Sequence, residues 1–335
     1  PSGEVIAFGR DPYFPPWHDT AQLDYSNPDL RRRMIETLKW ISRFADGARC
    51  DMAMLVLKDH VRHLWYPLAP TAWFDDRMPG EFWDRAVSEV KSVKPDFIFI
   101  AEAYWDKEPQ LLELGFDLAY EKRLYDGLAS ANQHLVAERL ARDVSLLERS
   151  LCFIENHDEP RAASIFTRAG NLASMALVLS LPGSVLIHQG QMEGKTERLP
   201  VQKLKPDHEE PNDIGLKRSY ELLFGLTSDE VFRKGSFALF SSGADSVISF
   251  IRQDSGRTIA YLGKVAESDR PFNSLVLNVT PLARAAGATR HLCLTNLLNS
   301  NSVVLDADHK SFHVRPDRLG VDDQSLFCLV EATTA

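Results

Sequence analysis

Residues 97–102 read Phe-Ile-Phe-Ile-Ala-Glu, a run apolar on both faces that stops on a carboxylate. A strand without a polar face belongs in a parallel sheet covered by helices. Working outward, the same grammar recurs. Upstream, Ser26-Asn27-Pro28 predicts a cap with proline at the first helical position. Leu30, Met34, Leu38 and Ile41 follow at helical spacing, and Asp46-Gly47 closes that helix before a short strand running from Ala48 to Asp51. A second helix around residues 81–93 and a break at Lys94-Pro95 lead into the opening run. Downstream, residues 116–120 form a weaker strand candidate, followed by a long helical stretch to about residue 147. Residues 151–154 are again apolar and run into Glu155-Asn156-His157-Asp158. A helix over 161–181 and a fifth strand over 185–187, ending in His188-Gln189-Gly190-Gln191, complete the series. Such alternation predicts a β/α barrel or a doubly wound sheet.

Residues 1–27 read as loop. From about residue 235 the period changes to short strands, at 247–251, 258–262, 275–279, 292–294 and 326–330, separated by Gly, Asp, Asn and Pro. The expectation is two domains, a β/α domain over 1–234 and an antiparallel all-β domain over 235–335.

Composition excludes several classes. The 335 residues are 44% hydrophobic and 25% charged, with a formal net charge of −9 and no Lys/Arg run. Phosphate backbones need a basic face, so no nucleic-acid partner is expected. No apolar run reaches membrane-spanning length, and the longest, 173–181, reads as a buried helix. The opening Pro-Ser-Gly-Glu has neither an initiator Met nor a signal-peptide pattern, which suggests a cut N-terminus. Cys50, Cys152, Cys293 and Cys328 are too scattered for a disulfide scaffold or a zinc site. They read as buried thiols, suited to a cytoplasmic location, although Cys293 and Cys328 would pair if their strands were suitably placed.

Barrel enzymes keep their catalysts at the carboxyl ends of parallel strands. Asp51, Glu102 and Asp158 each follow a hydrophobic run and would project into one mouth. Glycoside cleavage needs such a gathering, because one carboxylate attacks or stabilises an oxocarbenium-like centre while a protonated one supplies the leaving oxygen with a proton. Arg49, two residues before Asp51, would point the same way along a strand and hold Asp51 ionised. Glu102, beside Tyr104 and Trp105, sits in a setting that favours the neutral acid.

Three motifs, Gly47-Ala48-Arg49-Cys50-Asp51-Met52-Ala53, Phe99-Ile100-Ala101-Glu102 and Phe153-Ile154-Glu155-Asn156-His157-Asp158, resemble in order the fourth-, fifth- and seventh-strand motifs of α-amylase-type glycoside hydrolases. Residues 17–31 resemble that family's approach to the third barrel helix, and 182–193 its eighth-strand region. The resemblance implies a partial (β/α)8 TIM barrel of strands 4 to 8, followed by an antiparallel β-sandwich. It implies Asp51 as catalytic nucleophile, Glu102 as acid/base and Asp158 as the third carboxylate, with Arg49 and His157 in the substrate site. Tyr104 and Trp105 would stack on a sugar in the leaving-group subsite. Gln189, Gln191 and Glu193 read as rim or helix-capping residues, and Arg161 as a loop anchor.

Two departures bear on function. Met54-Leu55 stands where many polymer-cutting relatives have Lys-His, and the family's third-strand Asp…Asn-His motif is absent. With it goes the expected calcium site, so no cofactor is implied. The remaining barrel strands are then expected from a missing N-terminal half-barrel, in cis or in trans. The implied activity is a retaining α-glycosidase or transglycosylase on an oligo- or polysaccharide α-glucan, or on small α-glucosides. The alternative is an inactive relative serving as a binding or scaffold module. An unrelated barrel lyase or metal enzyme would need ligand clusters or a phosphate-binding Gly loop, which the sequence lacks.

Overall fold

The computed structural model describes every residue except 1, 2, 4, 201, 202, 207, 266–269, 309 and 335. The chain divides into two compact units, Pro1–Tyr120 and Glu121–Ala335.

In the first unit, Asn27 accepts from the Asp29 N–H and caps the helix Pro28–Ile41. Strand Gly47–Cys50 pairs in parallel with Ile98–Ala101, which pairs in parallel with Leu118–Tyr120. The register sets Cys50 against Ala101, so Asp51 and Glu102, one residue further on, stand level. Gly47 permits this approach, because a Cβ there would lie 2.5 Å from the Ile98 carbonyl oxygen. The helix Phe82–Lys91 buries Phe82, Trp83, Ala86, Val87 and Val90, spaced along one face. Phe116 packs edge-on against both Trp83 and Phe99, and Phe99 against Phe97. The segment expected to be loop contains an antiparallel pair, Phe8–Gly9 with Trp17–Ala21. These strands are short and largely exposed, so no apolar alternation announced them.

In the second unit, Ser150–Cys152 pairs in parallel with Ser184–Val185. The long helix expected after Tyr120 is three, Lys122–Ala129, Gln133–Leu140 and Val144–Glu148, with Asn132 and Asp143 capping the second and third. The helix expected over 161–181 is broken into Ala162–Ile165 and Arg168–Ser180 by extended Phe166 and Thr167. Thr167 accepts from the Gly170 N–H and starts the second piece. Side-chain oxygens that satisfy the first free N–H groups of a helix make a restart as cheap as a continuation.

The chain's last third forms one six-stranded antiparallel sheet in the order Ser302–Asp306, His291–Asn296, Phe327–Thr334, Thr258–Gly263, Ile248–Gln253, Ser236–Leu239. Among the described residues, a two-stranded ribbon, Leu277–Asn278 with His313–Val314, stands where the second layer of the expected sandwich would be. Alternate residues of the large sheet serve two cores. Phe250, Tyr261, Phe327 and Leu329 pack with residues of the helices Arg168–Ser180 and Ile214–Thr227. Ile251, Ala260, Leu262, Cys328 and Val330 pack with residues of the ribbon and the helix Thr280–Ala285. Cover on both faces explains why the central strands Ile248–Gln253 and Thr258–Gly263 are buried almost throughout, while the edge strand Ser302–Asp306 alternates buried with exposed. Arg252 is buried on the first face, donating to the carbonyls of Ser180 and Gly235 at two helix ends. Burial pushes its guanidinium down to about 10.

All four cysteines are free. Cys293 and Cys328 do lie on neighbouring strands, but the register sets Cys293 opposite Thr333, five residues along from Cys328. No described helix is long and apolar enough to cross a membrane.

Phe250 is fully buried and stacks on Tyr261, with ring centroids 5.1 Å apart. Phe250→Ala should lower stability by about 3–5 kcal/mol, read as a reduced urea midpoint with an unchanged slope.

Candidate active site

The first unit brings together Arg49, Asp51, Glu102 and Tyr104. Strand alternation puts Arg49 and Asp51 on one face, and their side chains meet, Nη1 to Oδ2, at 2.7 Å. The same guanidinium reaches the second strand, with Nη2 lying 2.8 Å from Glu102 Oε1. Its third nitrogen, Nε, donates to the Tyr120 hydroxyl at 3.2 Å. One arginine therefore touches both carboxylates and a tyrosine at the end of the third strand.

The two acids live in opposite surroundings. The Asp51 side chain is 76% exposed and that of Glu102 only 3%. Burial pushes the Glu102 carboxyl above its ordinary value, aided by the negative Asp51 and opposed by the Met52 N–H, Arg49 and the Tyr104 hydroxyl. Glu102 Oε1 accepts from Tyr104 at 2.9 Å and Oε2 from the Met52 N–H at 2.6 Å. That N–H points at the acid because Met52 adopts a left-handed backbone, φ 44°, directly after Asp51. A non-glycine residue in this region costs energy that the surroundings must repay. Arg49 is held strongly protonated: burial works against its charge, but Glu102, the Tyr120 hydroxyl and Asp51 outweigh it.

Trp105 follows on the same loop, also at positive φ, as is Asp106. Its ring stands 5.0 Å from that of Tyr13 and 5.6 Å from that of His60. Burial, with Lys107 and His63 nearby, pushes His60 below its ordinary value, which favours a neutral ring against the indole. Met54 is wholly buried.

His157 and Asp158 belong to the second unit, where His157 Nε2 lies 3.0 Å from Asp158 Oδ2. Their loop is built on two buried residues. Asn156 Oδ1 accepts from the Asp158 and Glu159 N–H groups. Glu155 Oε2 accepts from the Ala162 N–H at 2.6 Å, closing the loop at its base, while Oε1 pairs with Arg161 and contacts His188. Arg161 is buried and also donates to the Gln189 carbonyl, the anchoring role its position suggested. Gln191 is buried and donates to Tyr220, and Glu193 pairs with Lys217.

The family description "Alpha amylase, catalytic domain" matches residues 16–234. The chain belongs to the α-amylase family. Among curated α-amylases, "Alpha-amylase 3" of Dictyoglomus thermophilum is 22% identical over 216 residues, 60% of this chain and 40% of that one. "Alpha-amylase MalA" of Haloarcula japonica is 23% identical over 264 residues, 76% of this chain and 34% of the relative. The chain thus spans well under half the length of these two proteins. Among solved structures, the noncanonic maltogenic α-amylase AmyB of Thermotoga neapolitana superposes with a TM-score of 0.68 at 21% identity, covering 98% of this chain and 72% of that one. The α-amylase of Geobacillus thermoleovorans, solved with acarbose, gives 0.66 at 16% identity, covering 93% and 66%.

For an α-amylase relative, the sequence motifs marked Asp51, Glu102 and Arg49 but not Tyr120, Tyr13, His60 or the Met52 amide. Tyr120 was within reach, since it ends a strand candidate as the acids do. The others depend on which distant segments meet. Among the described residues no group of three or more His, Cys, Asp or Glu side chains is placed to hold a metal ion.

Because the folded protein binds the Glu102 proton more tightly than the unfolded chain does, its contribution to stability is lost as pH climbs above the ordinary value of 4.5. Glu102→Gln removes that loss. Urea unfolding at about pH 4 and about pH 8 should show the variant gaining on the wild type at the higher pH.

Proposed function

We propose that this chain carries the catalytic residues of a retaining α-glycosidase or transglycosylase, acting on α-glucans or small α-glucosides through a covalent glycosyl-enzyme. One observation carries the reading: a buried carboxyl whose surroundings favour the proton stands level with an exposed, arginine-paired carboxylate. Two acids in opposite protonation states are what double displacement requires.

In the first step Glu102 gives its proton to the glycosidic oxygen as that bond to the anomeric carbon breaks, and an Asp51 oxygen bonds to the same carbon from the opposite face. Arg49 steadies Asp51 as an anion before attack. In the second step Glu102, now ionised, takes a proton from water or a sugar hydroxyl, whose oxygen displaces Asp51 and restores the original configuration. Water gives hydrolysis and a sugar hydroxyl gives transfer.

Asp158 and His157 are assigned to binding sugar hydroxyls by their match to the family's seventh-strand motif. Tyr104 and Trp105, with the Tyr13 and His60 rings beside the indole, would receive the leaving sugar by stacking. Met54, buried here, stands where many polymer-cutting relatives carry a lysine, and that altered leaving-group side favours short α-glucosides. The α-glucan reading also draws on the maltogenic and acarbose-bound neighbours. The same reading divides the chain into a catalytic part, 1–234, and an all-β part, 235–335. It assigns the further strands of an eight-stranded barrel to a segment supplied in cis or in trans.

On maltooligosaccharides and aryl α-glucosides, proton NMR should find the α-anomer as the first product. Asp51→Asn and Glu102→Gln should each lower kcat/KM about a hundredfold or more. Full activity in either variant, or a β-anomer formed first, would overturn the assignment.

A further inference from the structure

Arg49 Nη2 is buried and within 2.8 Å of Glu102 Oε1, yet among the described residues it makes no directed hydrogen bond. Buried donors nearly always find an aligned acceptor, so an exception beside a catalytic acid calls for a cause. A guanidinium is rigid and planar, with its N–H directions fixed by the plane, so two directed bonds determine where the remaining edge points. Here those two bonds run from Nη1 to Asp51 and from Nε to the Tyr120 hydroxyl. Tyr120 is buried, and its ring centroid lies 5.7 Å from the guanidinium carbon, so the hydroxyl is a fixed anchor.

We propose that Tyr120 is a positioning residue, whose hydroxyl holds Arg49 by Nε so that the directed bonds go to Tyr120 and Asp51 while the edge facing Glu102 stays off the hydrogen-bond line. The inference rests on the reading of Glu102 as proton donor. A directed charge-assisted bond from Arg49 into that buried carboxylate would stabilise its ionised form and strip the site of its acid. The off-line contact leaves Oε1 to the Tyr104 hydroxyl and Oε2 to the Met52 amide. The charged and titratable groups facing Glu102 are then Arg49 and Asp51 from the neighbouring strand and Tyr104 from its own loop. Of these, Arg49 bonds the Tyr120 hydroxyl directly.

The test is Tyr120→Phe, which keeps the ring beneath the guanidinium and removes the acceptor. Two readouts are taken on the full chain: the pH dependence of kcat/KM on an aryl α-glucoside, and the titration of the Glu102 carboxyl by 13C NMR, assigned with Glu102→Gln. Once released, Arg49 turns its Nη2 edge onto Oε1, and both the basic limb and the NMR titration move down by about one pH unit. Fluorotyrosine at position 120, nearly isosteric and a weaker acceptor, gives a smaller shift of the same sign. In an Arg49→Lys background, which has no Nε, Tyr120→Phe moves neither curve. An unchanged or upward titration, or a shift that persists without Arg49, overturns the proposal. If the wild type cleaves no α-glucoside the catalytic reading falls, and the NMR titration still decides what Tyr120 does. If Asp51→Asn and Glu102→Gln abolish activity while Tyr120→Phe leaves both curves in place, the catalytic reading stands and this one falls.

Discussion

A single guanidinium organises the first unit's chemistry. Arg49 contacts Asp51, Glu102 and Tyr120, one nitrogen to each. Because those three residues end three parallel strands, the cation also ties the strand ends together where the backbone ladder runs out. Its charge acts unequally on the acids. Asp51 is open to solvent, while Glu102 is buried, where the cost of ionisation dominates. The same cation thus meets one exposed and one buried carboxyl, and burial raises the second above its ordinary value even beside the positive charge.

The backbone takes up the conformations this arrangement demands. Met52 leaves the strand in a left-handed turn, which aims its amide at Glu102, and the Ala53 amide donates to the Glu102 carbonyl at 3.1 Å. Trp105 and Asp106 are likewise at positive φ just beyond the acid. Strained residues clustered at the ends of these strands are held there by neighbouring bonds and packing. In the second unit the equivalent task falls to polar side chains: Glu155 and Asn156, both buried, staple the loop that carries His157 and Asp158.

The chain's last third is organised by a sheet whose central strands are buried on both faces. Its central strands alternate between a helical core and a core shared with the ribbon, which leaves Arg252 as a buried cation answered by carbonyls at helix ends in place of a carboxylate. A carbonyl-bound guanidinium of this kind fixes helix ends against a sheet and costs stability if its partners are lost.

Much of this was written in local sequence. Apolar runs ending in Asp51, Glu102 and the Asn-His-Asp tripeptide marked strand ends, because strand length and side-chain alternation depend on near neighbours alone. Helix caps were legible where a proline reinforced them, as at Asn27-Pro28. They were missed where Asn132, Asp143 and Thr167 interrupted otherwise helical patterns, since such residues are tolerated within a helix unless packing demands a turn. Pairings between distant segments were out of reach. The insertion of Phe327–Thr334 between His291–Asn296 and Thr258–Gly263, the register that keeps Cys293 from Cys328, and the meeting of Tyr13, His60 and Trp105 each join residues far apart in the chain. Sequence determined which acids stood at strand ends. Tertiary structure decided which of them lies buried, with its carboxyl pushed above its ordinary value, because exposure to water and the direction of a guanidinium exist only once the strands are side by side.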